Sequence, residues 1–181
     1  MIITISGALG SGKSTVGTLL AGALRYEKMS TGSMMRELAA KRGMTIVEFN
    51  ALCEKDPTID KELDDYVAQI GRTRDKLVID SRLAFFFIPT SFKVKLNVDM
   101  GEAARRIFAD SSRTTERSYA SVADAEKDIR YRRGQEVERF KGLYHVNIDD
   151  DTLFDLVIDT THLTPVEVAQ KIQDAVASVR A

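Results

Sequence analysis

The chain has 181 residues, of which 44% are hydrophobic and 29% charged, a composition typical of a globular protein rather than a disordered one. Its 27 acidic and 26 basic residues leave a net charge of −1, which excludes binding to nucleic acid or to a membrane surface through bulk positive charge. The longest apolar run, Leu83 to Ile88, is too short to span a membrane.

Strand and helix patterns alternate along the chain. Short β-branched or apolar runs predict buried strands over residues 2–6, 77–79, 92–98 and 153–158. Apolar residues at helical spacing predict a first helix over 14–24, and a mostly helical stretch is expected over about 31–72. This alternation predicts an α/β fold in which helices cover both faces of a parallel sheet.

Capping patterns indicate where several helices begin. A Ser, Thr or Asp followed three residues later by Glu or Asp occurs at Thr45, Asp99, Ser121 and Thr164. Thr164 is followed by a proline, which is favoured at the first position of a helix. The last helix is therefore predicted to run from there to about Ser178.

The cysteine and histidine content bears on the compartment and on metal binding. The single cysteine, Cys53, cannot form an internal disulfide, and the first residues carry no basic leader, so a cytoplasmic protein is expected. The two histidines, His145 and His162, have no cysteine cluster near them, which argues against a zinc site. The sequence does not determine the oligomeric state, although a monomer is favoured.

The most informative motif follows the first predicted strand and opens the first predicted helix. Residues 7–14 read GALGSGKS and match the phosphate-binding pattern G-x-x-x-x-G-K-[ST]. Glycines let backbone N–H groups approach phosphate oxygens, and the helix N-terminus adds partial positive charge. We therefore expect ATP to bind at this loop, with Lys13 on the β- and γ-phosphates and Ser14 on Mg²⁺. The expected nucleotide-binding residues are Gly7, Gly10, Ser11, Gly12, Lys13 and Ser14.

The rest of the chain narrows the class of P-loop protein. It has no N-K-x-D stretch, which argues against a guanine-recognising GTPase, and its length leaves no room for a second large ATPase module. Asp80 ends a strand expected beside the P-loop strand, where a carboxylate can hold Mg²⁺ directly or through water. Ser14 and Asp80 are therefore the candidate metal-binding residues.

Several further stretches resemble those of the short, archaeal-type cytidylate kinases, which are P-loop nucleoside monophosphate kinases. They read STGSMMR at 30–36, EKDPTIDKELD at 54–64, VIDSRLA at 78–84, RFKGLY at 139–144 and FDLVI at 154–158. This resemblance covers nearly the whole chain and keeps the order of the motifs. It implies one domain with the three-layer P-loop kinase fold, a five-stranded parallel sheet, a helical acceptor-binding insert at about 31–72 and a lid at about 107–122.

The resemblance also implies roles for individual arginines. Arg36 and Arg82 would hold the acceptor phosphate, and Arg106 would pack over the base of ATP. Arg132 and Arg139 are seven residues apart, so they share one face of a helix, and the family has phosphate-facing arginines at both matching positions. We expect catalysis to depend on Lys13, Arg36, Arg82, Arg132 and Arg139.

The sequence departs from the family pattern at two positions. Ser81 stands where the family usually has glycine, and Asp110 stands where these kinases often place a second lid arginine. Arg113 and Arg117 are the candidates to replace that arginine. These departures bear on the choice of substrate more than on the class of reaction.

The expected function is transfer of the γ-phosphoryl group of ATP to a nucleoside monophosphate, CMP or dCMP by resemblance, with Mg²⁺ as the metal. Two alternatives are open: the same reaction on AMP or UMP, and a non-catalytic ATP-binding protein. A carboxylate would suit the N4 amino group of cytosine, and Asp56 or Asp60 is the candidate for reading it. The expected partners are small nucleotides, with no nucleic acid and no membrane.

Overall fold

The structure is a computed structural model that describes residues 1–45, 48–49, 52, 58–110 and 119–180, with the side chains of 58–60 and 180 left aside. The described residues form five strands: β1 Ile2–Gly7, β2 Glu27–Ser30, β3 Leu77–Asp80, β4 Phe92–Asn97 and β5 Leu156–Asp159. The helices are α1 Lys13–Leu24, α2 Thr31–Lys41, α3 Thr58–Thr73, α4 Ala84–Phe87, α5 Met100–Ala109, α6 Val122–Tyr144 and α7 Pro165–Arg180. A short 3₁₀ helix covers Asp151–Leu153.

The strands form one parallel sheet in the order β2-β3-β1-β4-β5. All six residues of the central strand β1 are buried, which explains why its sequence is a continuous run of small and β-branched residues rather than an alternating one. Ile5 pairs in register with Asp80 on one side and with Val94 on the other. The carboxyl ends of β1 and β3 therefore lie side by side, where ligands bind in open α/β sheets.

Helices cover both faces of the sheet, as the alternating pattern predicts. On one face Ile3 and Ile5 pack with Leu20 of α1 and Ile172 of α7. On the other face a second cluster joins β1 and β3 to α2, α3 and α4; its buried members include Ile2, Met34, Val67, Ile70, Ile79 and Ile88. Helices α5 and α6 pack together through Ala104, Ile107 and Ile129 beside the loop that follows β1.

The helix starts predicted at Asp99, Ser121 and Thr164 are confirmed, whereas the start predicted at Thr45 adjoins residues 46–47, which lie outside the described residues. Two strand predictions need correction. Asp99, Ser121 and Thr164 each accept a hydrogen bond from the backbone N–H three residues on, as does Thr45 from Glu48. Strand β5 begins at 156 rather than 153, because Leu153 belongs to the 3₁₀ helix and the two residues after it connect that helix to the strand. Strand β2 was missed in the sequence because it is a short edge strand with two charged residues and one buried apolar residue.

In the described residues no helix is both long enough and apolar enough to cross a membrane. Cys53, Asp56, Arg113 and Arg117 lie outside the described residues, as does half of the predicted lid, residues 111–118.

Candidate active site

The loop between β1 and α1 has the backbone shape of a phosphate cradle. Gly10 has a φ of 80° and packs so closely on α5 that a Cβ there would lie 2.8 Å from the Cα and the carbonyl oxygen of Ala103. Gly12 caps α1 in the left-handed region, with a φ of 86°. These glycines let the loop turn tightly into the N-terminus of α1, which favours bound anions. The buried hydroxyl oxygen of Ser11, which lies against Gly7, has no hydrogen-bond partner in the described part of the chain.

Lys13 lies at the mouth of this loop. Its Nζ donates hydrogen bonds to the carbonyl oxygens of Gly7 and Ala8, both at 2.8 Å. Burial lowers the pKa of Lys13 to about 8, against the opposing effect of the Asp80 carboxylate. The loop therefore holds its one lysine over the cradle with its charge only weakly shielded by water.

The candidate metal ligands lie at the adjoining strand end and helix start. Burial raises the pKa of Asp80, while the nearby Lys13 and Lys28 act to lower it. The Ser14 hydroxyl accepts a hydrogen bond of 3.1 Å from Lys28 Nζ, which also donates to the Thr18 hydroxyl.

The donor set is compatible with Mg²⁺, because a serine hydroxyl and a carboxylate are hard oxygen ligands. No group of three or more His, Cys, Asp or Glu that could hold a metal occurs among the described residues. A metal at Ser14 and Asp80 would consequently take its remaining ligands from phosphates and water, as is usual for Mg²⁺ at nucleotide sites.

A cavity of about 860 Å³ opens beside the loop at the carboxyl edge of the sheet. Among the described residues, the cations that line it are Lys13 from α1, Arg82 after β3, and Arg139 from α6. The carboxylates of Asp80, Glu136 and Asp64 line it as well. Residues more than a hundred positions apart in the chain thus meet around one space.

Arg82 is held by an ion pair that the sequence did not reveal. Its guanidinium contacts the carboxylate of Glu136 on α6, which also lies 3.8 Å from Arg133. Arg133 in turn pairs with Asp149. The buried Nε of Arg82 has no hydrogen-bond partner in the described part of the chain, and the side chain as a whole is 32% exposed and lines the cavity.

The other predicted arginines are placed differently. Arg132 and Arg139 lie two turns apart on α6, and only Arg139 lines the cavity; Arg132 is paired with Asp128 at 3.8 Å. Arg36 is exposed on α2, with its guanidinium close to Gly32 at the cavity wall. The structure therefore brings together Lys13, Arg82 and Arg139, with Arg36 at the margin.

Part of the cavity lining is apolar. This part is formed by Met34, Met35, Leu63, Val67, Phe87 and Tyr144. The Tyr144 hydroxyl donates a hydrogen bond of 2.6 Å to the Asp64 carboxylate. Both residues fall within stretches that carry the family resemblance, which was the only signal for them in the sequence.

A second cavity of about 330 Å³ lies on the other side of the phosphate loop. Its lining includes Gly12, Arg106, Thr160 and Leu163. Arg106 donates to the carbonyl oxygens of Thr160 and Thr161 at 2.7 and 3.1 Å and is also bound to Glu102. This arginine therefore belongs to the body of the protein and forms a rigid wall of the smaller cavity.

Comparison with known proteins identifies the family. The model of the cytidylate kinase-like family matches residues 2–162. The chain is 39% identical over 183 aligned positions to a cytidylate kinase of Halobacterium salinarum, covering 100% of this chain and 92% of the relative. It is 30% identical to a cytidylate kinase of Methanobrevibacter smithii, covering 95% and 96%. It is also 39% identical to part of an S-adenosylmethionine-dependent nucleotide dehydratase of Lacinutrix mariniflava, covering 94% of this chain and 34% of that protein.

Solved structures with low sequence identity share the fold. An uncharacterised protein from Eubacterium ventriosum superposes with a TM-score of 0.74 at 16% identity, covering 98% of this chain and 99% of the other. A shikimate kinase from Acinetobacter baumannii gives 0.63 at 20% identity, covering 98% and 93%. The five-stranded parallel sheet with helices on both faces is thus the P-loop kinase fold. Together with the match over residues 2–162, these findings show that the chain belongs to the cytidylate kinase-like family.

Proposed function

We propose that the protein transfers the γ-phosphoryl group of ATP to CMP or dCMP and releases ADP and the cytidine diphosphate. One observation carries this proposal: a single cavity contains both the phosphate loop and a second pair of cations, Arg82 and Arg139. ATP and a nucleoside monophosphate bring about six negative charges into one cleft, so they need fixed cations on both sides. The relatives named cytidylate kinase support CMP as the acceptor.

Each part of the site has a proposed role. The loop N–H groups and Lys13 bind the β- and γ-phosphates of ATP, whose base enters the smaller cavity beside Arg106. Arg82 and Arg139 bind the acceptor phosphate, because the arginine fork holds phosphate oxygens at two points. Arg36 and Arg132 join these when the cleft closes around the substrates.

Ser14 and Asp80 are the residues that would hold Mg²⁺. The metal, when bound, neutralises charge on the phosphates during transfer. The protein's own contribution is to position the two substrates in line and to surround them with fixed cations. No general base is required, because the acceptor phosphate has a second pKa of about 6 and is mostly ionised at pH 7.

We propose that residues 31–72 form the acceptor-binding part and that residues 107–122 form a lid. Closure of a lid would exclude water, which otherwise competes with the acceptor for the phosphoryl group. The proposed compartment is the cytoplasm, since a chain with one cysteine forms no internal disulfide and fits a reducing environment.

A coupled assay for ADP release tests the proposal. Wild-type protein, ATP and Mg²⁺ are combined with CMP, dCMP, UMP or AMP, or with no acceptor, and Lys13→Ala protein serves as the control for contaminating kinases. We expect CMP or dCMP to give the highest kcat/KM. Faster turnover with AMP or UMP would assign the acceptor differently, and ATP binding without turnover on any of them would indicate a non-catalytic protein.

A further inference from the structure

One carboxylate lies among the apolar residues of the large cavity, away from the phosphate loop. Asp64 is on α3, half-buried, and lines the cavity together with Leu63 and Val67 of the same helix. Its Oδ2 accepts the 2.6 Å hydrogen bond from the hydroxyl of Tyr144, the last residue of α6. Two helices that are distant in the sequence thus place and orient this one carboxylate.

The surroundings of Asp64 suit a flat ring. The Tyr144 ring packs edge-on against Phe87, with centroids 5.5 Å apart, and is 6.3 Å from Phe140. Met34 and Val67 complete the apolar wall. Arg82 and Arg139 line the same cavity, so a ligand with a charged phosphate and an aromatic base can place each part against matching chemistry.

We infer that Asp64 reads the exocyclic amino group of the acceptor base and so selects a cytosine over a uracil; this inference rests on the proposed function. An ionised carboxylate is purely an acceptor and can accept several hydrogen bonds at once, so the bond from the Tyr144 hydroxyl is compatible with a further donor from a ligand. The N4 group of cytosine is a donor, whereas uracil presents an oxygen at the same position. A keto oxygen facing the carboxylate would leave both acceptors unpaired and repelling each other.

This assignment changes the residue expected from the sequence. Asp60, one of the two earlier candidates, lies one helical turn before Asp64, so the two positions share a face of α3. Asp64 is the position whose side chain the structure places in the cavity wall. The competing interpretation is that the bond between Asp64 and Tyr144 only ties α3 to α6.

The test compares kcat/KM for CMP and UMP in wild-type protein and in Asp64→Asn. An amide is nearly the same size and can present a donor or an acceptor, so we expect the CMP/UMP ratio to fall from at least about tenfold to below about threefold. The KM for ATP should change less than about threefold, because the phosphate loop is untouched. Asp65→Asn is the matched control: it removes the same charge from the adjacent, exposed position and should leave the ratio as in wild type.

A second variant and a stability measurement distinguish recognition of the base by Asp64 from a purely structural link between α3 and α6. Tyr144→Phe removes the bond to the carboxylate but keeps the ring, and we expect it to lower the CMP/UMP ratio by about three- to tenfold. An unchanged ratio in both variants would overturn the inference, as would an equal loss on CMP and UMP accompanied by a lower melting temperature. Wild-type preference for AMP or UMP would instead overturn the proposed function. The two failures are thus distinguishable.

Discussion

The ion pair between Arg82 and Glu136 gives the sharpest test of how the acceptor site is built. The side chains of these residues are only 32% and 16% exposed. In Arg82→Ala the Glu136 carboxylate keeps Arg133 at 3.8 Å and a weaker electrostatic interaction with Lys13. One substitution therefore has two separable effects: it leaves a mostly buried carboxylate poorly compensated, and it removes a cation from the cavity.

The loss of stability and the loss of activity differ in size, and a second substitution should restore only the stability. Loss of one partner of a partly buried pair should lower the free energy of unfolding by about 1–3 kcal/mol, less than for a fully buried pair because Arg133 remains. A charge-assisted arginine–phosphate contact contributes about 2–3 kcal/mol, so kcat/KM for CMP should fall roughly 30- to 150-fold. Adding Glu136→Gln to Arg82→Ala should recover most of the lost stability, but it should not restore the lost activity.

The measurements are thermal denaturation and steady-state kinetics with each substrate varied in turn. We expect the KM for ATP to stay within about threefold of wild type in both the single and the double variant. Arg130→Ala is the control, since this arginine lies on the same helix, is 69% exposed and pairs only with neighbouring Glu126 among the described residues. Recovery of CMP kinetics in the double variant, or equal increases in the KM of both substrates, would refute a direct role for Arg82 on the acceptor.

Three further predictions concern the phosphate loop. Lys13→Ala should remain folded while kcat falls by at least about a hundredfold, or 3 kcal/mol of barrier, and a folded variant with near-normal turnover would contradict the assignment of the loop. Burial lowers the pKa of Lys13 to about 8, so the ligand-free site loses the positive charge of this ammonium group above that pH. The Kd for ADP, measured by calorimetry in EDTA, should therefore be constant from pH 6.5 to 7.5 and then rise toward tenfold per pH unit. A constant Kd up to pH 9.5 would argue against this. Gly10→Ala should lower the free energy of unfolding by about 1–3 kcal/mol, because position 10 has a φ of 80° and the new Cβ would lie 2.8 Å from Ala103. Gly22→Ala on α1, where a Cβ meets open space, should be neutral or stabilising. Equal melting temperatures for the two variants would contradict this reasoning.

The elements that were predicted correctly are those whose signal is local in the sequence. A helix start is marked within three residues by a side chain that bonds the N–H of its own first turn, as at Thr164 and Glu167. The phosphate loop is marked within eight residues, because its function depends on backbone shape and one adjacent lysine. Strands β1 and β3 are identified by short runs of β-branched and apolar residues that are almost entirely buried, and β4 by the alternation of apolar and polar residues in FKVKLN.

The features that were missed depend on neighbours far away in the chain. Strand β2 is an edge strand, and its residues Glu27 and Lys28 carry no apolar run; it is a strand because Ser30 and its neighbours pair with β3. No pattern in the sequence distinguishes Glu136 from the other charged residues of the long, polar helix α6. Only the packing of α6 against the end of β3 places its carboxylate on Arg82.

The sequence by itself determined the α/β class, the position and chemistry of the phosphate loop, and Asp80 and Arg82 at the end of a neighbouring strand. The class follows from the alternation of short local patterns along the chain, and the other features each depend on residues within one element or one turn of each other. The tertiary structure decided that Arg139 rather than Arg132 lines the cavity and that Asp64 meets Tyr144 across 80 positions of chain. The physical reason is that such contacts depend on the angle and depth at which helices pack on the sheet, which are set by the whole core and not by spacing along the chain.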